Sequence, residues 1–187
     1  MIHARIIGTG SYAPKKVLTN HDLEKLVDTS DAWITERTGI KERRVVERGQ
    51  STSDLAYEAS RKALKAAGLA AEDLDLILVA TMTPDTILPS LGCVLQEKLG
   101  AKKAAAFDIY AACSGFIYGL SVADAFIRSG QYRRVLLCGV EILSRVTDWQ
   151  DRNTCVLFGD GAGAVVLRAD EEDGVALRRA AGFVQKG

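Results

Sequence analysis

The residue best placed to do chemistry is Cys113, in the run Phe107-Asp-Ile-Tyr-Ala-Ala-Cys113-Ser-Gly-Phe116. A strand pattern ends, two alanines follow, and an apolar helical pattern begins at or beside the cysteine. The unpaired N–H groups and positive dipole end of a helix favour an anion. A thiol placed there ionises more readily than a free one and is a better nucleophile near neutral pH. Ala111, Ala112, Ser114 and Gly115 are small and leave room for a substrate to reach sulfur. A backbone N–H of the same turn can receive a developing oxyanion. On placement alone, a nucleophile and a cysteine that packs between strand and helix fit equally well.

The other cysteines, Cys93, Cys138 and Cys155, fall within a helix or apolar strands and read as core. There is no Cys-x-x-Cys pair, and both histidines, His3 and His21, lie far upstream. No zinc site is expected from that spacing.

Two glycine-rich runs resemble phosphate cradles. Gly8-Thr-Gly10-Ser-Tyr-Ala13 fits the dinucleotide fingerprint, which needs a helix N-terminus directly after it. Pro14-Lys15-Lys16 follows instead, so the cofactor reading is set aside. Gly159-Asp-Gly-Ala-Gly163 runs into the strand-like Ala164-Val-Val-Leu167 and reads as a tight turn or bulge.

The elements that must position these residues alternate. Strands are expected at Ile2 to Ile7 (closed by Gly8 and Gly10), Arg43 to Val46, Leu74 to Ala80, Ala104 to Ile109, Val135 to Val140, within Cys155 to Leu167, and at Val175 to Val184. Helices are expected from an Asn20 cap to Val27, from a Ser30 cap to Arg37, over Ser51 to Ala67, from Pro89 or Ser90 to Leu99, and over Cys113 to Ser129. The last reads as packed on most sides, with Phe116, Leu120, Ala123 and Ile127 as its main buried face and Asp124 and Arg128 as its charged edge. Continuous apolar strands separated by helices mean an α/β fold whose sheet is covered on both faces.

The 187 residues suit one domain, or two at most, and 48% hydrophobic with 26% charged residues exclude a disordered chain or a disulfide miniprotein. Lys+Arg and Asp+Glu both number 24, so net charge gives no reason to expect nucleic acid as a partner. The apolar runs are too short for a bilayer span, and charge follows the start too soon for a signal peptide, so a cytoplasmic protein is expected.

Six stretches, in order, carry a resemblance. They are Ile7-Gly-Thr-Gly-Ser-Tyr-Ala-Pro14, Trp33-Ile-Thr-Glu-Arg-Thr-Gly-Ile40, Ala80-Thr-Met-Thr-Pro-Asp85, Asp108-Ile-Tyr-Ala-Ala-Cys113-Ser-Gly-Phe116, Asp148-Trp-Gln-Asp-Arg-Asn-Thr154 and Phe158-Gly-Asp-Gly-Ala-Gly163. Together they resemble β-ketoacyl-acyl carrier protein synthase III, the initiating condensing enzyme of bacterial type II fatty acid synthesis. The resemblance implies a thiolase-like fold, of which residues 1–187 form the N-terminal half of a layered αβαβα architecture with a mixed sheet; the C-terminal half is absent from this chain. It implies that Cys113 takes an acyl group, usually acetyl, from coenzyme A. A histidine and an asparagine in the family's second half then assist decarboxylation of malonyl-acyl carrier protein, and neither His3 nor His21 lies in a matching motif.

The resemblance also implies that Trp33 and Arg152 sandwich the adenine of coenzyme A; Arg37, four residues from Trp33 on one helix, faces the same way and can address a phosphate. Residue types alone favour Trp33 as a partly buried anchor and the arginines as solvated. Phe158 and the Gly159–Gly163 stretch match the family's segment beside the cysteine. Leu88 stands where many members have phenylalanine, in a segment that helps line the acyl pocket of the partner subunit, and admits a longer primer. Tyr110 is larger than the small residue expected before the alanines. No cofactor is implied, coenzyme A thioester being a substrate. The implied partners are acyl-coenzyme A, malonyl-acyl carrier protein and a second copy that pairs through the strand at Ala104 to Ile109, without nucleic acid or membrane. A condensing enzyme of secondary metabolism, and an incomplete half that complements a separate C-terminal half, are the alternatives.

Overall fold

The computed structural model describes residues 2–170. The strand expected at Val175 to Val184 lies outside them. The elements run β1 (His3–Tyr12), β2 (Lys16–Thr19), α1 (Asn20–Leu23), α2 (Asp31–Thr38), β3 (Glu42–Val45), α3 (Thr52–Ala67), β4 (Leu76–Ala80), α4 (Leu91–Leu99), β5 (Ala105–Ile109), α5 (Gly115–Arg128), β6 (Arg134–Ile142) and β7 (Asp160–Asp170). Five strands form one mixed sheet in the order β1-β7-β6-β4-β5, with β4 parallel to β5 and β6, and β7 antiparallel to β6 and β1. β2 and β3 make a separate antiparallel ribbon.

The central strands explain the layering. All five residues of β4 are buried. Ile77 and Val79 join Leu55 of α3 and Leu95 of α4 in one cluster, whereas Leu76 and Leu78 join Ala123 and Ile127 of α5 in another. Alternate residues of a strand face opposite sides, so both faces of the sheet must be covered, as the apolar runs require. Truncating a fully buried leucine such as Leu78 to alanine costs about 2–5 kcal/mol.

Several expectations need correction. β1 does not stop at Gly8; it continues through Gly8 and Gly10 to Tyr12, with an irregular register between Ile6 and Gly8. The glycines are there because α3 lies directly on the strand: a Cβ on Gly8 would stand 2.6 Å from the Ala67 nitrogen, and one on Gly10 would collide with the Ala59 carbonyl oxygen. The first helix is a single turn capped by Thr19, not Asn20, and the ribbon strand β2 was not expected. Asp160 to Gly163 are not a turn or bulge but the start of β7, with Ala162 opposite Tyr12 and Gly163 opposite both Ser11 and Gly139.

The last helix differs too. It begins at Gly115, and Cys113 lies in a separate 3₁₀ turn, Ala112–Ser114. It is packed on one side rather than most: Ala123 and Ile127 are buried and Phe116 and Leu120 are partly so, but Ile117, Tyr118, Ser121 and Ala125 are exposed. Cys93, expected in the core, is exposed as well. Leu91 and Leu95 turn inward from α4, whereas the Cys93 thiol lies 3.8 Å from the Ala106 carbonyl of the edge strand β5.

Candidate active site

β4, β5 and β6 run parallel, with Ala80 in register with both Ile109 and Gly139, so their carboxyl ends share one rim. Cys113 sits on that rim, four residues beyond the end of β5, where open α/β sheets commonly hold ligands. The turn is unusual in two ways. Ala112 has φ +47°, a left-handed conformation that costs a non-glycine residue about 1–2 kcal/mol. Ser114, at the N-cap of α5, makes no side-chain cap bond. The Cys113 thiol is exposed.

Small residues bring α5 down onto the rim. A Cβ on Gly115 would stand 3.1 Å from the Ala80 Cβ, one on Gly119 would meet Leu137 Cδ1 at 2.5 Å, and one on Gly139 would meet Phe116 Cδ2 at 3.2 Å. Gly115 is therefore a packing residue and gives no access to sulfur, whereas Ala112 and Ser114 are open. Cys138 and Cys155 are buried as expected. Burial pushes the Cys138 thiol up to about 12 and raises that of Cys155.

The loop after β4 borders the same rim. Glu141 of β6 accepts hydrogen bonds from the Met82 N–H at 2.7 Å and the Thr83 hydroxyl at 2.5 Å. Asp85 accepts from the Thr52 and Ser53 N–H groups at 2.7 and 3.1 Å, at the start of α3. Those anchors hold the near half of the loop; Ile87 and Leu88 are 82% and 84% exposed. Leu88 is thus placed on the surface of this chain rather than against its own core.

Trp33, Arg37 and Arg152 are brought together. Ser30 accepts the Trp33 N–H at 3.1 Å to cap α2, and Gly39 ends it with φ +72°. The guanidinium carbons of Arg37 and Arg152 lie 4.5 and 4.4 Å from the Trp33 ring centroid. The indole packs on Leu23, Ile34, Cys155 and Val156, so the ring is fixed at its base. The reading of Trp33 as an anchor is right as far as it goes, but the arginines are stacked rather than merely solvated.

Phe158 is partly exposed and precedes Gly159, where a Cβ would stand 3.1 Å from both the Arg43 Cβ and the Arg44 carbonyl oxygen. The adjacent Asp160 carboxylate is buried and accepts from the Val46 N–H at 2.7 Å, the Ser144 N–H at 2.8 Å and the Ser144 hydroxyl at 2.6 Å. It ties the start of β7 to the segments after β3 and β6. Asp160 and Glu141 were missed in the sequence, because each earns its place through partners remote in the chain. The only local signal was an acid inside an otherwise apolar strand.

The family described as 3-oxoacyl-[acyl-carrier-protein] synthase III matches residues 107–182. The chain is 62% identical over 174 residues to a β-ketoacyl-[acyl-carrier-protein] synthase III of Xanthomonas campestris, covering 93% of this chain and 54% of that protein. A protein of the same name from Caldanaerobacter subterraneus is 63% identical over 166 residues, covering 89% and 50%. The crystal structure of 3-oxoacyl-[acyl-carrier-protein] synthase III from Aquifex aeolicus superposes with a TM-score of 0.89 at 57% identity, covering 90% of this chain and 55% of that one. The priming β-ketosynthase of the R1128 polyketide pathway also superposes at 0.89, at 38% identity, covering 92% and 52%. The chain spans about half the length of the curated relatives it matches, and its helix-covered mixed sheet is the thiolase-like half expected. Over that span it is similar to the β-ketoacyl-[acyl-carrier-protein] synthase III family.

Proposed function

We propose that this chain supplies the acyl-accepting half of an initiating condensing enzyme of bacterial type II fatty acid synthesis. The observation that carries the reading is the pairing of an exposed thiol at the carboxyl rim of the sheet with an assembled Trp33–Arg37–Arg152 stack. The Cys113 sulfur attacks the thioester carbonyl of acetyl-coenzyme A; the new S–C bond forms as the bond to coenzyme A breaks, and the thiol proton leaves with the coenzyme A sulfur. Small residues around the turn admit the thioester, and a backbone N–H there takes the oxyanion. Decarboxylation of malonyl-acyl carrier protein then supplies a carbanion that attacks the acyl-cysteine carbonyl, releasing Cys113 and a β-ketoacyl-acyl carrier protein. The histidine and asparagine that this step calls for match no segment of this chain.

Adenine stacks between Trp33 and Arg152, and Arg37 meets the nucleotide phosphates; a flat heterocycle suits both an indole face and a guanidinium plane. Since Arg152 lies on the indole, an entering base displaces it to the base's far side. Phe158 borders the acyl site. β5 is an edge strand with the exposed Phe107 and Ala105, and a second copy pairing along it extends the sheet and covers the edge. Leu88, exposed in its own subunit, then contributes to the acyl pocket of the other and leaves room there for primers longer than acetyl as well. The reaction takes place in the cytoplasm; among the described residues no helix is long and apolar enough to cross a membrane. The exposed Ile117 and Tyr118 face of α5 favours a second reading for the 187 residues alone, as a half that works only when joined by a complementary half.

Incubating the full-length protein with labelled acetyl-coenzyme A and mapping the label by mass spectrometry tests the assignment. Label is expected on Cys113 and none in Cys113→Ala; label on Cys93, Cys138 or Cys155 would overturn it.

A further inference from the structure

Beneath the Trp33 stack lies a buried polar pair, Asn20 and Arg43, with 1% and 5% of their surfaces exposed. Among the described residues the Arg43 guanidinium meets no carboxylate in its hydrogen bonds. It donates to the Leu18 carbonyl at 3.1 Å, the Asn20 side-chain oxygen at 2.8 Å and the Val156 carbonyl at 3.3 Å, and among those residues its Nε has no partner. The Asn20 amide nitrogen donates to the Asp31 carboxylate at 2.8 Å and to the Ile40 carbonyl at 2.8 Å. Asp31 opens α2 and Ile40 follows its Gly39 stop, so Asn20 grips both ends of the helix that carries Trp33 and Arg37. Val156 lies four residues beyond Arg152.

A buried guanidinium held by neutral oxygens is a poor device for stability alone. Burial penalises its charge, and apolar residues of similar volume commonly replace buried ions without loss. What it provides here is geometry. A planar fork reaches several acceptors in fixed directions, which lysine cannot do. We propose that Asn20 and Arg43 are positioning residues of the nucleotide site: together they fix the spacing between Trp33 on α2 and Arg152 on the segment after β6. This rests on the reading of Trp33 and Arg152 as the adenine-binding pair. Neither Asn20 nor Arg43 touches the nucleotide; each acts through the backbone that carries a stacking residue.

The test compares two acyl donors in the full-length protein, acetyl-coenzyme A and a short acetyl thioester that lacks the nucleotide. Arg43→Met is expected to raise the dissociation constant of coenzyme A about tenfold, the scale of a modest misplacement of binding groups. It should leave acylation of Cys113 by the short thioester unchanged. Arg43→Lys should lose affinity similarly, since it keeps the charge but not the fork. Trp33→Ala provides the reference, and combining it with Arg43→Met should add little. If Trp33→Ala weakens coenzyme A binding and Arg43→Met does not, the positioning role is wrong while the adenine site stands. If Trp33→Ala has no effect, the adenine site itself is wrong and this inference goes with it. Equal loss with both donors would make Arg43 a general support of the fold and also overturn the proposal. Should Arg43→Met fail to fold, Asn20→Ser carries the same comparison with the same expected and overturning results.

Discussion

Around Trp33, Asn20 and Arg43 are buried and hydrogen-bonded, with the Nε atoms of Arg43 and Arg152 left without a partner among the described residues; a serine caps the helix, and aromatic and aliphatic groups close the base of the site. Around Cys113 the turn is exposed, its alanine is held in a left-handed conformation, and the serine at the head of α5 caps nothing. The two regions lie on the same chain but are completed differently. The wall proposed to hold the nucleotide has both of its stacking residues and their supports within residues 18–156. The reaction wall offers one nucleophile on an open rim beside an exposed apolar helix face. On the proposed roles, the difference separates an adenine site whose stacking residues are assembled among the described residues from a nucleophile that stands on an open rim.

The largest effect expected from that contrast is on turnover. The 187-residue chain, assayed with acetyl-coenzyme A and malonyl-acyl carrier protein, should not condense them. Removing one donor that polarises a reacting carbonyl typically costs about 10²–10³ in rate, and here both the histidine and the asparagine implied by the family lack a counterpart. Near-normal turnover would break the comparison, because the reaction wall would then be complete as it stands.

Next comes nucleotide binding. Trp33→Ala should weaken coenzyme A binding by about 1–3 kcal/mol, the scale of stacking a base on an aromatic side chain. Isothermal titration calorimetry on a folded variant measures it, and an unchanged affinity would remove adenine from this wall. A loss restored by Trp33→Phe but not by Trp33→Leu would sharpen the assignment to stacking.

A smaller effect compares the two helix starts directly. Ser30→Ala removes a bond to the Trp33 N–H and should lower stability by about 1 kcal/mol, whereas Ser114→Ala removes no cap bond and should change it by only a few tenths. Denaturant midpoints of the two variants decide. Equal losses would mean that the turn at Cys113 is better secured than its hydrogen bonds indicate.

What the sequence made legible followed the same division. Helices with local stop and start signals, Ser30 to Gly39, Ser51 to Gly68 and Ser90 to Gly100, appear where those residues put them, because a cap is a bond between near neighbours. The strand-to-helix placement of Cys113 was legible from the change of apolar pattern on its two sides, though the intervening 3₁₀ turn was not. Gly8 and Gly10 looked like punctuation, yet their role is set by α3, about fifty residues downstream. Arg43 is legible in the sequence only as the first residue of a short strand; the carbonyls of Leu18 and Val156, far off in the chain, reveal it as a buried fork. β2 is four residues long and finds its partner across two helices, which leaves little periodicity to read. The α5 face shows the opposite limit: its apolar pattern reads as a helix packed on most sides, yet among the described residues nothing covers Ile117 and Tyr118.

The smallest expected effect is electrostatic and again belongs to the nucleotide wall. Glu24 accepts the Asp31 N–H at 2.7 Å, at the head of α2, and its other oxygen pairs with His21 at 3.1 Å. The Asp31 N–H, and then the His21 ring, hold the Glu24 carboxyl below its ordinary 4.5. The Glu24 hydrogen bond and charge, with Asp31 and Asp22 adding, raise His21 above its ordinary 6.5. The signs are opposite. A depressed carboxyl contributes stability that is present above its unfolded value and lost as pH falls through the folded one. A raised histidine contributes stability that is present below its unfolded value and lost as pH rises through the folded one. The pair therefore supports the start of α2 most between about pH 5 and 6, and less on either side. Both groups are exposed, so the contribution is small and screened by salt. Thermal midpoints of the parent and Glu24→Gln at low ionic strength should differ most in that window, differ less at higher pH, where His21 is neutral but Glu24 still accepts the Asp31 N–H, and converge only as pH falls through the folded Glu24 value. A constant difference across the range would mean that Glu24 holds α2 by its shape and hydrogen bond alone, leaving the charge without a role in fixing the nucleotide wall.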